Sequence, residues 1–201
     1  MVPLRLENGV YGLPEQQTFP ILFYRKDILN ELQLKVPNTW PEAYAVMVEL
    51  LKNNMEFGIP TGLPGYGMFL YQNGGQLYNE DGSLCLLDSN ESVSAFTQWS
   101  KLYADLGMPM SYNFVNRFRS GEMPIGVADY TMYNTLAVFA PEIYDKWDIA
   151  CVPGTLKANG TLDRSVVASG TCSMLFANGE RQAAAWSFMR WWCGSDAQTA
   201  Y

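Results

Sequence analysis

Histidine is absent from the 201 residues, which removes the commonest general base and the commonest metal ligand together. Imidazole triads and imidazole-based metal sites are thereby excluded. The four cysteines, Cys85, Cys151, Cys172 and Cys193, are too widely spaced for a CxxC redox pair or a structural zinc site. They read as free, mostly buried thiols, with disulfides left open for an exported chain. No cofactor and no metal are expected. Charge is sparse as well, at 16% of residues, and no stretch gathers enough Lys and Arg to neutralise a phosphate backbone. The balance of 20 acidic against 13 basic residues gives a net charge of -7, so nucleic acid is not a partner. No apolar run approaches the roughly 18 residues that a membrane-spanning helix needs. The start, Met1-Val2-Pro3-Leu4-Arg5, has neither the charged nor the apolar region of a signal peptide, which leaves a removed leader open. Internal repeats and low-complexity linkers are lacking too.

What is present is apolar and aromatic: 48% hydrophobic residues, with 6 Trp, 12 Tyr and 10 Phe. That is material for one sizeable core or two small ones. Two extended pieces are expected over residues 10–24, around a bend at Gly12-Leu13-Pro14 and Pro20, followed by a short helix over 26–33. Thr39-Trp40-Pro41-Glu42 is a capping box, and behind it Ala43, Val46, Met47, Leu50 and Leu51 keep the spacing of one buried helical face. A strand follows over 56–61, then a helical or mixed stretch over 66–72. Asn79-Glu80-Asp81-Gly82 joins two short apolar runs as a hairpin turn. Asp88 and Glu91 resemble a second capping box, opening a helix through Val93, Phe96 and Leu102 that stops at Gly107. Further helices are expected over 114–119, 130–139 and 180–192, with strands over 124–128 and 147–152 and strand-like pieces over 164–176. Gly194 and Ser195 stop one helix and start another, and the break at Tyr201 reads as a fragment or trimmed chain. Short strands alternating with helices specify an α/β protein.

Several segments, taken in order, resemble the family 1 extracellular solute-binding proteins, the group that includes maltose-type and oligosaccharide binders. They are Tyr11-Gly12-Leu13-Pro14, Leu22-Phe23-Tyr24-Arg25-Lys26-Asp27-Ile28-Leu29, Val36-Pro37-Asn38-Thr39-Trp40-Pro41-Glu42, Asn73-Gly74-Gly75, Phe118-Arg119-Ser120-Gly121-Glu122-Met123-Pro124-Ile125-Gly126 and Trp147-Asp148-Ile149-Ala150 with Val152-Pro153-Gly154. Each is weak alone, and their order over nearly the whole chain carries the resemblance. It implies a type II periplasmic-binding-protein-like α/β fold, here mainly the second lobe with hinge-crossing strands. Residues 1–14 would lead into the hinge, 15–124 and 169–201 would form the second lobe, and 125–168 would return to the first. The resemblance further implies binding of a mono- or oligosaccharide outside the cytoplasm, at a lipoprotein-anchored cell surface or in the periplasm. The solute would pass to the permease subunits of an ABC importer, with no chemistry done.

Sugar recognition needs flat apolar faces and fixed polar groups for the hydroxyls. By the resemblance, Tyr11 and Pro14 lie at the first crossing, Tyr66 and Met68 in a second-lobe loop offering an aromatic, Asp129 and Tyr130 at a strand end, and Gly170 and Thr171 at the last crossing. Two have plainer structural readings, a turn at Tyr11–Pro14 and a tight turn permitted by the glycines flanking Tyr66, whereas an aspartate leaving a buried strand needs some partner. Trp186, Trp191 and Trp192 have the spacing of a core-facing helix. Asn90-Glu91-Ser92 and Asn159-Gly160-Thr161 match a glycosylation acceptor that is common by chance, and Glu80-Asp81 is a solvated turn pair. A glycosidase would need two facing carboxylates, and the spacing of Glu122, Asp129 and Asp148 singles out no pair. A sensory or interaction module with the same fold remains the alternative to transport.

Overall fold

The computed structural model describes residues 4–6, 9–176, 179 and 181–200. In chain order these form β1 (Arg5–Leu6), β2 (Gly9–Val10), β3 (Leu13–Thr18), β4 (Pro20–Arg25), α1 (Lys26–Glu31), α2 (Trp40–Lys52), β5 (Phe57–Gly58), α3 (Leu63–Gln72) and α4 (Asn90–Ala104). There follow α5 (Phe114–Ser120), β6 (Ile125–Asp129), α6 (Met132–Phe139), β7 (Trp147–Ala150), β8 (Thr155–Leu156), β9 (Leu162–Asp163), β10 (Ser169–Ser173), α7 (Gln182–Trp192) and α8 (Ser195–Ala200). The chain divides into two compact units, one made of Met1–Thr18 with Ala168–Tyr201 and the other of Phe19–Val167.

The larger unit is organised by a mixed sheet in the order β5-β6-β4-β7. β4 lies antiparallel to both β6 and β7, while β5 joins β6 in parallel. Because side chains on a strand alternate between faces, β4 supplies both sides of the sheet. Leu22 enters a core with Met47, Leu50, Phe69, Ile125 and Val127, whereas Ile21 and Phe23 enter a second core with Phe114, Phe118 and Leu136. The helix at 40–52 starts as its sequence dictates: Thr39 accepts from the Glu42 amide and the Glu42 carboxylate accepts from the Thr39 amide, so both halves of the capping box form. Its buried face is Ala43, Val46, Met47 and Leu50.

At the far end of β4, Arg25 is nearly fully buried. Its Nε and Nη2 donate to the two Asp27 oxygens at 2.8 and 2.6 Å, and its Nη1 donates to the carbonyls of Phe118 and Arg119 at 3.0 and 3.1 Å. One guanidinium therefore ties the sheet to the last turn of α5, where helix carbonyls lack internal partners.

The smaller unit pairs β1 with β2 and β3 with β10, both antiparallel, with a bulge between Thr171 and Cys172. Among its described residues the buried apolar side chains are Met189 and Ala197.

Several expectations change. Residues 125–168 were assigned to a lobe other than that of 15–124, yet Ile125–Asp129 and Trp147–Ala150 hydrogen-bond on either side of β4, so they share its unit. Residues 169–201 group with 1–18 through the β3–β10 ladder. The strand at 56–61 contracts to Phe57–Gly58, and the hairpin at 79–82 survives as a single Tyr78–Cys85 bridge with Gly82 at φ 72°. Ser89, rather than Asp88, caps α4. The cysteines are free, but Cys85 and Cys151 are exposed and Cys172 and Cys193 half-buried. Trp186 and Trp191 are exposed and Trp192 is half-buried, with its indole donating to Glu15 at 2.5 Å, because the elements of this unit cover little of α7. The expected start of that helix at Glu180 lies outside the described residues.

Two measurements follow from this packing. Truncating the fully buried Leu50 to Ala is expected to lower the unfolding free energy by about 2–5 kcal/mol, and Thr39→Ala by about 1 kcal/mol, both read by urea denaturation. The hydrogen bond from Arg25 holds the Asp27 carboxyl below its ordinary value of 3.8, against a smaller opposing effect of burial. A depressed carboxylate stabilises the fold above its unfolded pKa and loses that contribution as pH falls through the folded one. Unfolding titrations from about pH 5 to about pH 2.5 should show stability falling at the acid end, and Asp27→Asn should flatten that slope.

Candidate functional site

The registry of β4 against β6 ends with Pro20 opposite Asp129. One step further the Tyr130 amide donates to the Phe19 carbonyl at 2.9 Å, which extends the pairing past both strands. That brings the two rings into a parallel stack, with centroids 5.6 Å apart and planes 11° from parallel. Both rings remain open to solvent, Phe19 at 37% and Tyr130 at 46% exposure. Tyr133, in the first turn of α6, is also exposed and meets Trp147 edge-on at 5.2 Å. The Asp129 side chain is exposed at the end of β6, and no described residue forms a hydrogen bond or ion pair with its carboxylate. The result is an exposed two-ring apolar platform, with an unpaired acceptor on the neighbouring residue of the chain.

Tyr66 is differently employed. On α3 it is half-buried, its hydroxyl donates to the Ser92 carbonyl at 3.3 Å, and its ring lies 6.2 Å from both Phe96 and Trp99. With Gly62, Leu87 and Val93 these rings line a depression of about 400 Å³. Met68 is fully buried in the core below it. Its expected contact with a solute is therefore withdrawn: on a helix, residues two apart point to different sides, so exposing Tyr66 turns Met68 inward.

The remaining expected residues belong to the smaller unit. Tyr11 is exposed just before β3, and Pro14 is exposed on β3 opposite Cys172. Thr171 is exposed opposite Gln16, and Gly170 lies opposite Gln17. A Cβ at Gly170 would sit 2.5 Å from the Gln16 carbonyl oxygen, so close strand approach alone requires glycine there. The structure thus leaves Asp129 and Tyr130 as neighbours at the end of β6, separates Tyr66 from Met68 by helical phase, and places Pro14, Gly170 and Thr171 on the β3–β10 ladder with Tyr11 just ahead of it.

Phe19, Tyr133 and the Leu87–Val93–Phe96 surface were missed. Phe19 was legible in principle as the aromatic preceding Pro20 at a strand start. Val93 and Phe96, two of the apolar residues expected to carry their helix, are exposed, and the structure buries Leu102 with the small residues Ser92 and Ala95.

Carboxylate geometry also bears on hydrolysis. Asp129 lies opposite Pro20 and Asp148 opposite Tyr24, at the two ends of β4. At roughly 3.3 Å per residue that is a separation above about 13 Å, wider than the roughly 5–9.5 Å of glycosidase pairs. Glu122 sits instead beside Arg117, at 3.7 Å. Among the described residues no group of three or more Cys, Asp or Glu is arranged to hold a metal ion, and no helix is long and apolar enough to cross a membrane.

Comparison with known proteins gives these features a family. Residues 4–201 match the sequence profile of the bacterial extracellular solute-binding proteins, and the chain belongs to that family. A search by sequence finds no match among curated proteins. Among solved structures, a solute-binding protein of an ABC transporter from Thermotoga lettingae, bound to α-D-tagatose, superposes with a TM-score of 0.78 at 20% identity over 98% of this chain and 53% of that one. The GacH receptor of Streptomyces glaucescens, studied with acarbose, gives 0.78 at 20% over 97% and 51%. An Agrobacterium radiobacter solute-binding protein in complex with ribitol gives 0.73 at 19% over 99% and 54%. The chain spans about half the length of these structures.

Core and surface roles on α3 are separable by stability. Met68→Ala should cost about 2–5 kcal/mol in urea denaturation as a core truncation, whereas Tyr66→Phe should cost about 0.5–1.5 kcal/mol for its single hydrogen bond.

Proposed function

We propose that the protein binds a small polyhydroxylated solute, a mono- or oligosaccharide, outside the cytoplasm and delivers it to the permease subunits of an ABC importer without chemically altering it. The observation that carries this reading is the exposed Phe19–Tyr130 stack, with an unpaired carboxylate on the neighbouring residue of the chain, Asp129. A pyranose presents an apolar C–H face to an aromatic ring and hydroxyls at its rim. Stacking one and pairing the other satisfies both without leaving a desolvated polar group unpartnered. The tagatose, acarbose and ribitol seen in structures of similar fold are solutes of this chemistry. Membership of an extracellular solute-binding family supports the location. The carboxylate spacing, too wide for paired acid and base, supports binding without hydrolysis. In this reading the two passages of chain between the units, after Thr18 and after Val167, act as hinge segments.

The test is calorimetric titration of the protein carrying the complete solute-binding fold with tagatose, ribitol, maltose and maltotetraose. Saturable binding of at least one is expected, weakened about tenfold or more by Tyr130→Ala and by Asp129→Ala. Variants of Tyr11, Pro14, Gly170 and Thr171 in the same titration decide whether those residues take part. Saturation by none of the sugars or polyols overturns the reading in favour of a sensory or interaction module.

A further inference from the structure

The C-terminal end of α3 carries a buried glutamine that the solute-binding reading does not use. Gln72 has no exposed surface, and its polar atoms are all engaged. The side-chain oxygen accepts from Trp40 Nε1 at 2.7 Å and from Thr155 Oγ1 at 3.2 Å. The amide nitrogen donates to the carbonyls of Pro153 at 3.2 Å and Ser165 at 3.3 Å. Its main-chain carbonyl accepts from Lys157 Nζ at 2.6 Å, and that ammonium also pairs with Asp163 at 3.2 Å. A single side chain thus fastens both ends of the β8–β9 hairpin segment to α2 and α3.

Earlier on the same helix, Gly67 makes a second attachment. A Cβ there would lie 2.2 Å from Val167 Cγ2, so Val167 fills the space that the missing side chain leaves. Val167 is the last residue of the larger unit before the chain passes to the other. The segment over residues 153–167 is therefore held at Gln72 near both its ends and at Gly67 where it terminates.

We propose that Gln72 and Gly67 are positioning residues that fix where, and in which direction, the chain leaves the larger unit. A purely apolar residue at 72 could fill the same volume, but it would leave the Trp40 indole and two carbonyls buried without partners, and it would not orient the segment. Hydrogen bonds are directional in a way that apolar packing is not. The consequence for ligand affinity rests on the solute-binding reading: if this exit is a hinge segment, loosening it changes how tightly solute is held although neither residue touches solute.

Native-state hydrogen exchange on the intact protein without ligand tests the attachment independently of any solute. In Gln72→Met the amides of Gly154, Lys157 and Ser165, which are hydrogen-bonded in this segment, are expected to exchange about tenfold faster or more, while those of Met47 and Leu50 in α2 keep their rates. Gly67→Ala is expected to release Ser165 selectively, and the double variant Gly67→Ala with Val167→Ala to restore it. The glycine pair keeps the proposal testable should Gln72→Met fail to fold. Equal acceleration at all sites, or none, or no rescue in the double variant, overturns the positioning role and leaves Gln72 and Gly67 as ordinary core residues. Sugar titration of the same variants then separates the two proposals. Selective exchange with a Kd shifted at least about threefold supports both, and selective exchange with an unchanged Kd keeps the attachment and removes its link to binding. A wild-type protein that binds no sugar overturns the solute reading while the exchange result stands.

Discussion

The larger unit depends on one strand being buried on both faces. Pro20–Arg25 has almost no solvent-exposed side chain, and its alternation sends Leu22 to one core while Ile21 and Phe23 go to the other. Burying a leucine or phenylalanine fully is worth roughly 1.5–3 kcal/mol, and a one-residue slip would exchange the two faces, so the register of β4 against its neighbours is strongly specified. Both ends of the strand inherit that precision. At one end Arg25 grips the last carbonyls of α5, and at the other the pairing of Pro20 with Asp129 sets the Phe19–Tyr130 stack. The candidate platform is thus a by-product of core packing and needs no loop to adopt a chosen shape, which is the rigidity that recognition of a small solute requires.

The platform's geometry also limits what it can hold. Two rings already stacked on each other have each used one face, so what remains is the outer face of each ring and the shared edge. Tyr66 offers less, since its hydroxyl is committed to Ser92 and its ring to Phe96 and Trp99. An exposed acceptor such as Asp129 gives up only water when a hydroxyl pair replaces it, which keeps the desolvation cost small relative to that of a buried carboxylate.

How much of this was legible in the sequence divides along the range of the interactions. The capping box at Thr39 and Glu42 and the Asp81-Gly82 turn are local and form as read, and of the expected face Ala43, Val46, Met47 and Leu50 are buried while Leu51 is exposed. The family resemblance, carried by dispersed segments, was also legible and is matched over residues 4–201. Strand partnership is not local: nothing within Ile125–Asp129 states that it lies between β5 and β4, and analogy alone sent it to another lobe. Helical phase failed where apolar residues surround the helix. On α3 nearly every position from Leu63 to Leu70 is apolar or glycine, so periodicity could not tell Tyr66 from Met68. On α4 the buried face holds Ser92 and Ala95, small residues that a search for large apolar side chains passes over. Burial of α7 was misjudged for a different reason, because its spacing describes an apolar face while its exposure depends on what else is present to cover it.

Charge narrows the class of solute further than shape does. The chain carries a net charge of -7, its proposed platform presents a carboxylate, and no Lys or Arg is paired with that group among the described residues. Arg25 is spent on Asp27 and two carbonyls, Arg117 on Glu56 and Glu122, and Arg119 on Glu142, while Lys26 and Lys146 lie at the opposite end of β4 from Asp129. In the proposed reading a phosphorylated or carboxylated solute at Asp129 would bring a second negative charge to a group with which no Lys or Arg is paired among the described residues, and like charges at contact distance repel by an amount comparable to the whole gain from one stacked ring. A neutral polyol incurs no such cost and supplies the donors that an acceptor-only group lacks. In that reading electrostatics discriminates against acidic sugars before any steric selection acts, and the choice among neutral sugars is left to the rings.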